Sequence, residues 1–355
     1  MYRVTFNNRP SPFYTALKAE VDKYFADKQL ASTGNWKLYL KTFAFLSFAL
    51  YAYIQLVFFT PVWWIALPLS ALFGMNAAFI GFNIMHDGCH GSYSTKDWVN
   101  NLMGYTLNIL GSNATLWKVK HNVAHHTYTN IDGWDADIVQ SSLLRFAPTQ
   151  PLKGVHRYQH IYGMFLYGLI AFVWVFVNDF QKYFQKKVLN SPIKDFSLKE
   201  HLIFWAGKVF YVFVYLVIPI WQVGFLPFLI GFVLMNLTLG WVLAIVFQLA
   251  HVVEITEFED ASHDDLRLTY EWAIHQVNTT ANFATDNSIV SWFLGGLNFQ
   301  VEHHLFPKVS HIHYPEIQKI VQKVCQDFNI QYRQYPTMFE AVVSHFRLLK
   351  QLGRA

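Results

Sequence analysis

Two apolar runs placed end to end constrain this chain more than any other feature. Residues 42–60 (TFAFLSFALYAYIQLVFFT) carry no charge and, as a helix, are long enough to cross the ~30 Å hydrocarbon core of a bilayer. Pro61 turns the chain at once into a second run, Val62 to Met85, and three more follow at 161–178, 203–220 and 225–250. Backbone in lipid must satisfy its own hydrogen bonds, so such runs have to be helical. Hydrophobic residues make up 53% of the chain and charged ones only 14%, where a soluble domain carries roughly one-quarter. The expected fold is an all-α integral membrane protein. A net charge of +4 with no basic run among aromatics gives no support for nucleic-acid binding. The only cysteines, Cys89 and Cys325, imply neither a disulfide framework nor a thiolate metal site.

Seven histidines fall into three short clusters. His121-Asn122-Val123-Ala124-His125-His126 is the densest; His121 and His125 are i, i+4 neighbours on a helix, with His126 ~100° round from His125. His86 and His90 form a second i, i+4 pair where the second run leaves the membrane, and His303-His304 follows Gln300-Val301-Glu302. An eighth histidine, His251, ends the last run. Neutral imidazoles without cysteines favour iron, copper, zinc or nickel over calcium or magnesium. Eight are too many for one ion and suit two. Two redox-active ions side by side can share the electrons that split O–O and oxidise an unactivated C–H bond. Carboxylate-rich di-iron bundles use paired Glu-x-x-His motifs, which do not occur here, so the site is expected to be nearly all nitrogen.

Other residues read more plainly. His156, His160, His201, His263 and His345 stand alone and are expected at the surface or interface. His311 and His313 look like the edge of a helix start, and His275 is left open between ligand and structural roles. Asp87, Asp135, Asp137, Glu254 and Glu302 are candidates to orient ligating histidines, and Trp117 and Trp134 to wall the site.

If the clusters share a site with His251, an even number of crossings separates residue 126 from residue 251. Of the three intervening runs, 161–178 is then expected to lie flat, while 203–220 and 225–250 pair as a hairpin like the first two. Residues 101–111 are too short to cross and read as interfacial. The turns near Pro61 and Gln222 lack Lys and Arg, whereas 1–41, 179–200 and the tail are basic; positive-inside puts the polar regions, the site and both termini in the cytoplasm. Four crossings in two hairpins are thus expected, with every polar region on the cytoplasmic side. The chain divides into an N-terminal segment (1–40), without the pattern of a cleaved signal, a membrane domain (41–310) and an amphipathic tail (311–355).

These boxes, H-x-x-x-H at His86–His90, H-x-x-x-H-H at His121–His126 and Q-x-x-H-H at Gln300–His304, resemble those of the membrane fatty acyl desaturases across residues 40–310. The resemblance implies a four-span helical membrane domain beneath a cytoplasmic helical cap, with a non-haem di-iron centre between them held by His86, His90, His121, His125, His126, His251, His303 and His304 and with Gln300 at its rim. It implies a long-chain acyl substrate, on CoA or lipid, in a narrow tunnel, and O2 as co-substrate. Gln300, where most members have histidine, is similar to the front-end subgroup, which places a new double bond between an existing one and the carboxyl end. The His-Pro-Gly-Gly signature of a fused haem domain is absent, so the resemblance implies a separate electron donor, a ferredoxin or cytochrome-b-type protein, as in bacterial members of the inner membrane. Lys118, Lys120, Arg145 and Arg157 are candidates to meet a head group. Two other uses of such histidines remain: hydroxylation of an acyl chain, alkane or carotenoid by the same centre, and metal transport, which would need ionisable residues along the spans.

Overall fold

The first long helix begins earlier than the apolar run within it, because Asn35 caps it by accepting a hydrogen bond from the Lys37 amide at 3.0 Å. The computed structural model describes residues 3–139, 142–261 and 265–354. After helix α1 (Pro12–Lys28) come α2 (Trp36–Phe59) and α3 (Trp63–His90), then α4 (Asp97–Gly104) and α5 (114–128). Three long helices follow, α6 (Gly154–Gln185), α7 (Leu198–Val223) and α8 (Phe225–His251). The chain ends in α9 (Trp272–Asn278), α10 (Gln300–Leu305), α11 (Tyr314–Asp327) and α12 (Met338–Leu352). Five of these, α2, α3, α6, α7 and α8, are long and apolar enough to cross a membrane. The expectation of an all-helical chain needs one correction: among the described residues are four two-residue strand pairs, one a local hairpin at Lys187–Pro192 and three, such as Ile131–Asp132 beside Glu259–Asp260, that staple remote loops together.

Helix α8 turns back from α7 at Gly224, whose φ of +82° suits glycine. The two helices meet beside this turn, but along its length α8 packs on α3 and α6 instead. Glycine decides that choice. A Cβ on Gly74 of α3 would stand 2.0 Å from the Met235 carbonyl oxygen, and one on Gly240 would stand 2.5 Å from that of Gly168 in α6. Backbones this close leave no room for a methyl group. Gly74→Ala is expected to cost about 1–3 kcal/mol by overpacking, seen as a lower midpoint of thermal unfolding in detergent.

The start of α6 and the turn after it are both tied to residues that precede the helix. At its start Gln159 exchanges hydrogen bonds with the Arg145 backbone at 2.7 and 3.0 Å, and the Tyr162 hydroxyl donates to the Leu143 carbonyl at 2.6 Å. Just beyond its end, Asn190 donates to the Gly133 carbonyl at 3.0 Å. Lys208, a cation inside α7, is fully partnered: its ammonium donates to the carbonyls of Gly111 and Val175 at 2.7 and 2.9 Å and to Asp179 Oδ2 at 3.0 Å. It pins the turn before α5 to α6 and α7. Removing one member of a buried pair strands the other charge, so Lys208→Met is expected to destabilise by roughly 3–5 kcal/mol, measured by thermal unfolding beside an Asp179→Asn, Lys208→Met double variant that recovers part of the loss.

The N-terminal helix and the tail share a core: Phe13, Leu17 and Val21 pack against Val301, Tyr314, Ile317 and Val321. Two histidines expected at the surface are interior. His345 donates from Nδ1 to the Val252 carbonyl at 2.7 Å and accepts the Tyr167 hydroxyl at 2.8 Å, locking α12 onto α6 and the end of α8. His156 caps the start of α6, accepting the Lys153 amide at 3.1 Å. Each is buried because its two nitrogens are both satisfied. His160 and His201 are half-buried, in keeping with an interfacial place, and His263 lies outside the described residues.

Candidate metal centre

The ends of α3 and α8 converge on α5 and α10, and the three boxes and His251 meet there. His86, His90, His121 and His303 each present a ring nitrogen within 4.8 Å of the others, and His125, His251 and His304 do the same. His126 stands between the two groups, its ring 4.8, 4.6 and 4.4 Å from those of His90, His303 and His304. All eight are buried. Gln300 is buried at the start of α10, one turn before His303.

Local backbone geometry brings this about. Residues Val119–His125 form a wide π-turn in which the His126 amide bonds to the His121 carbonyl, five residues back. On a plain α-helix His126 would point away from His121; the wider turn carries it round, and the two Nε2 atoms lie 3.2 Å apart. A matching π-turn at Gly81–Met85 precedes the first box, with the His86 amide bonded to Gly81. Sequence spacing could not show either widening.

The nitrogens turned inward lack protein partners. His90, His125, His251, His303 and His304 each leave Nε2 buried without a hydrogen bond, and His126 leaves Nδ1. The His86 Nε2 atom has only His121 Nε2, at 3.2 Å. Orphaned buried nitrogens are costly, and facing lone pairs repel, so the cluster fits cations held between the rings. Nitrogens about 3 Å apart are also spaced as neighbouring ligands of one ion, each ~2 Å from it.

The outward nitrogens of four of these rings, by contrast, are engaged. His125 Nδ1 lies 3.1 Å from both oxygens of Asp135, His304 Nδ1 2.8 Å from Gln276 Oε1, His303 Nδ1 3.1 Å from the Tyr314 hydroxyl and His251 Nδ1 3.3 Å from the Thr279 carbonyl. Donation from Nδ1 leaves the Nε2 lone pair facing the centre. Burial holds His121, His126, His303 and His304 well below the usual imidazole range, keeping them neutral. Burial also lowers His125, but Asp135 and Asp137 outweigh it and raise its basicity.

Of the five carboxylates singled out in the sequence, Asp135 orients a histidine directly, and Asp137 lies 3.4 Å from the same ring while paired with Lys120. Asp87 turns away from His86 to bond Ser310 and His311 at 2.7 and 3.0 Å. Glu302 accepts from Asn282 and Tyr332, each at 2.7 Å; burial pushes its carboxyl up to about 7. Glu254 accepts from Gln351 at 3.1 Å. His275 stands outside both groups, donating to the Thr129 carbonyl at 2.8 Å. Trp117 stacks on His121 with ring centres 4.3 Å apart and meets His86 and His90 edge-on, whereas Trp134 packs on Tyr128. Arg145 serves the fold rather than a head group: it is buried and bonds the carbonyls of Pro148, Gln150 and Leu352, each at 2.6 Å. Gln276, Thr279 and Tyr314, missed from sequence, carry no motif of their own.

Residues 61–336 match the fatty acid desaturase family profile. Over 353 residues, covering 99% of this chain and 95% of the relative, the sequence is 39% identical to the sn-1 linoleoyl-lipid 6-desaturase of Arthrospira platensis. It is 36% identical to the enzyme of the same name from Synechocystis sp., covering 99% and 98%, and 37% identical to an acyl-lipid (8-3)-desaturase of Physcomitrium patens, covering 96% and 72%. With its histidine cluster and apolar helices in the places these matches span, the chain belongs to the fatty acid desaturase family.

Proposed function

We propose that the protein inserts a cis double bond into a long-chain acyl group carried on a membrane lipid, on the carboxyl side of a bond already present. The observation that carries this reading is the pair of adjoining histidine pockets with their lone pairs turned inward. His86, His90, His121 and His303 would hold one non-haem iron and His125, His251 and His304 the other, with His126 between them and Gln300 at the rim. Bound iron would supply dioxygen activation. Overall, O2, two electrons and two protons convert –CH2–CH2– to –CH=CH– and two waters, the electrons coming from a separate ferredoxin- or cytochrome-b-type donor.

The protein's own part is placement. Methylenes along an acyl chain are chemically nearly alike, so position selects the carbon that reacts. Trp117 covers one side of the first pocket with a rigid apolar ring, which keeps water from the histidines it touches. The carrier and front-end position are read from the relatives, whose names specify linoleoyl-lipid or acyl-lipid substrates, and from Gln300.

Four crossings fit better than five. The start of α6 bonds to Leu143 and Arg145, and Asn190, five residues past its end, bonds to Gly133, which supports a helix that enters and leaves on one side. The basic segments then fall on the side of the site, supporting a cytoplasmic centre and termini at a bacterial inner membrane.

The test is gas chromatography with mass spectrometry of lipids from a host fed linoleic acid. The expected product is a triunsaturated acid whose new bond lies on the carboxyl side. A hydroxylated acid would instead assign the centre to hydroxylation, and a new bond on the methyl side would overturn the front-end assignment.

A further inference from the structure

One short segment touches two of the boxes from outside. Tyr314 places its hydroxyl 3.1 Å from His303 Nδ1, while three and four residues earlier His311 and Ser310 grip Asp87, at 3.0 and 2.7 Å. Asp87 immediately follows His86. The segment therefore holds the first-box helix with one end and a third-box histidine with the other. Both of these boxes serve the four-histidine pocket.

The grip is braced from behind. Lys41 of α2 donates to Asn83 Oδ1 at 2.7 Å and lies 3.0 Å from His311 Nε2. An ammonium has no acceptor, so His311 must accept at Nε2 and carry its proton on Nδ1, which then donates to Asp87. Lys41, Asp87 and His311 are each more than nine-tenths buried, so each bond is made without competition from water. The three-histidine pocket is oriented by other groups: Asp135 for His125, Gln276 for His304 and the Thr279 carbonyl for His251.

We infer that Ser310, His311 and Tyr314, backed by Lys41, form a clamp that sets the spacing of His86 and His90 from His303 and so governs metal retention in the four-histidine pocket alone. These are positioning residues. The inference rests on the reading of the two histidine groups as metal positions, and it adds that the positions are held by separate outer supports. Loss of an outer partner lowers metal affinity about 10–100-fold in comparable sites.

The experiment counts iron per purified chain in detergent and resolves the two positions by Mössbauer spectroscopy, without recourse to activity. Wild type is expected to hold two irons. Tyr314→Phe and His311→Gln are each expected to fall to about one after dialysis against a weak chelator, and Gln276→Leu to fall to one by losing the opposite component of the spectrum. Ser310→Ala, a milder change, is expected to weaken retention of the same iron as Tyr314→Phe, should His311→Gln fail to fold. Loss of both irons together in Tyr314→Phe, loss of neither, or loss of the same component in Tyr314→Phe and Gln276→Leu would overturn the clamp while leaving the two-metal reading intact. Wild type with no iron would overturn both.

Discussion

Alanine at His125 and His126 together is expected to abolish new double bonds in the lipids of a fed host and to leave the purified chain short of metal. His125 is one of the three nitrogens of the second pocket, and His126 lies between the pockets, 3.2 Å from His121 by its Nε2. The double change therefore strips one position of a ligand and removes the ring between the two. Asp137 and Gln300 are the nearest other donors, but Asp137 is paired with Lys120 and neither is an imidazole. The check is product analysis beside metal content on protein that still elutes as a single species in detergent. Product formation at the wild-type level would separate the histidine cluster from the chemistry.

Asp135→Asn is expected to cost about 10–100-fold in metal affinity or product yield without removing a ligand. The carboxylate does three things at once: it faces His125 Nδ1 with both oxygens, at 3.1 Å, and it accepts the backbone amides of Asn130 and Asp137 at 2.9 and 2.8 Å. An amide side chain keeps one acceptor oxygen and offers a donor where the other stood. The loop can survive that change, but the His125 ring loses both one of the two negative charges that raise its basicity and the unambiguous signal for its tautomer. Metal titration of the variant reads the effect directly, and an unchanged affinity would limit Asp135 to supporting its loop.

The sequence made the site more legible than the scaffold. Ligand chemistry needs histidine and tolerates few substitutes, so clusters at membrane exits announce themselves, and the structure brings together the eight that were read. Their outer partners were half legible. Asp135 could be suspected from its charge near the second box, but Gln276 and Tyr314 are common residues whose role exists only once α9 and α11 have folded against α10. The lone histidines show the reverse failure: His345 and His156 look like surface residues because nothing in their neighbourhood reveals a carbonyl arriving from 93 or 14 residues away. Helix packing was only partly legible for a similar reason. A tight turn at Gly224 suggests neighbours, yet small residues far apart in the chain, Gly74, Gly168 and Gly240, decide which helices approach closely. The apolar runs themselves were plain, although Lys41 fell outside the first of them because a cap at Asn35 cannot be weighed by hydropathy.

The order in which the ligands leave the ribosome has a consequence for how the protein is made. The four-histidine pocket takes two residues from near position 90, one from 121 and the last from 303. More than 180 residues, with α6, α7 and α8 among them, must be synthesised before that fourth nitrogen arrives. Closing so long a loop costs entropy that a bound ion offsets only when all its ligands are present. On the proposed reading of this pocket, its metal would be held fully only after α8 has been made and α10 has docked. A chain that ends before residue 303 is therefore expected to retain less metal than the full chain, read as metal per purified chain.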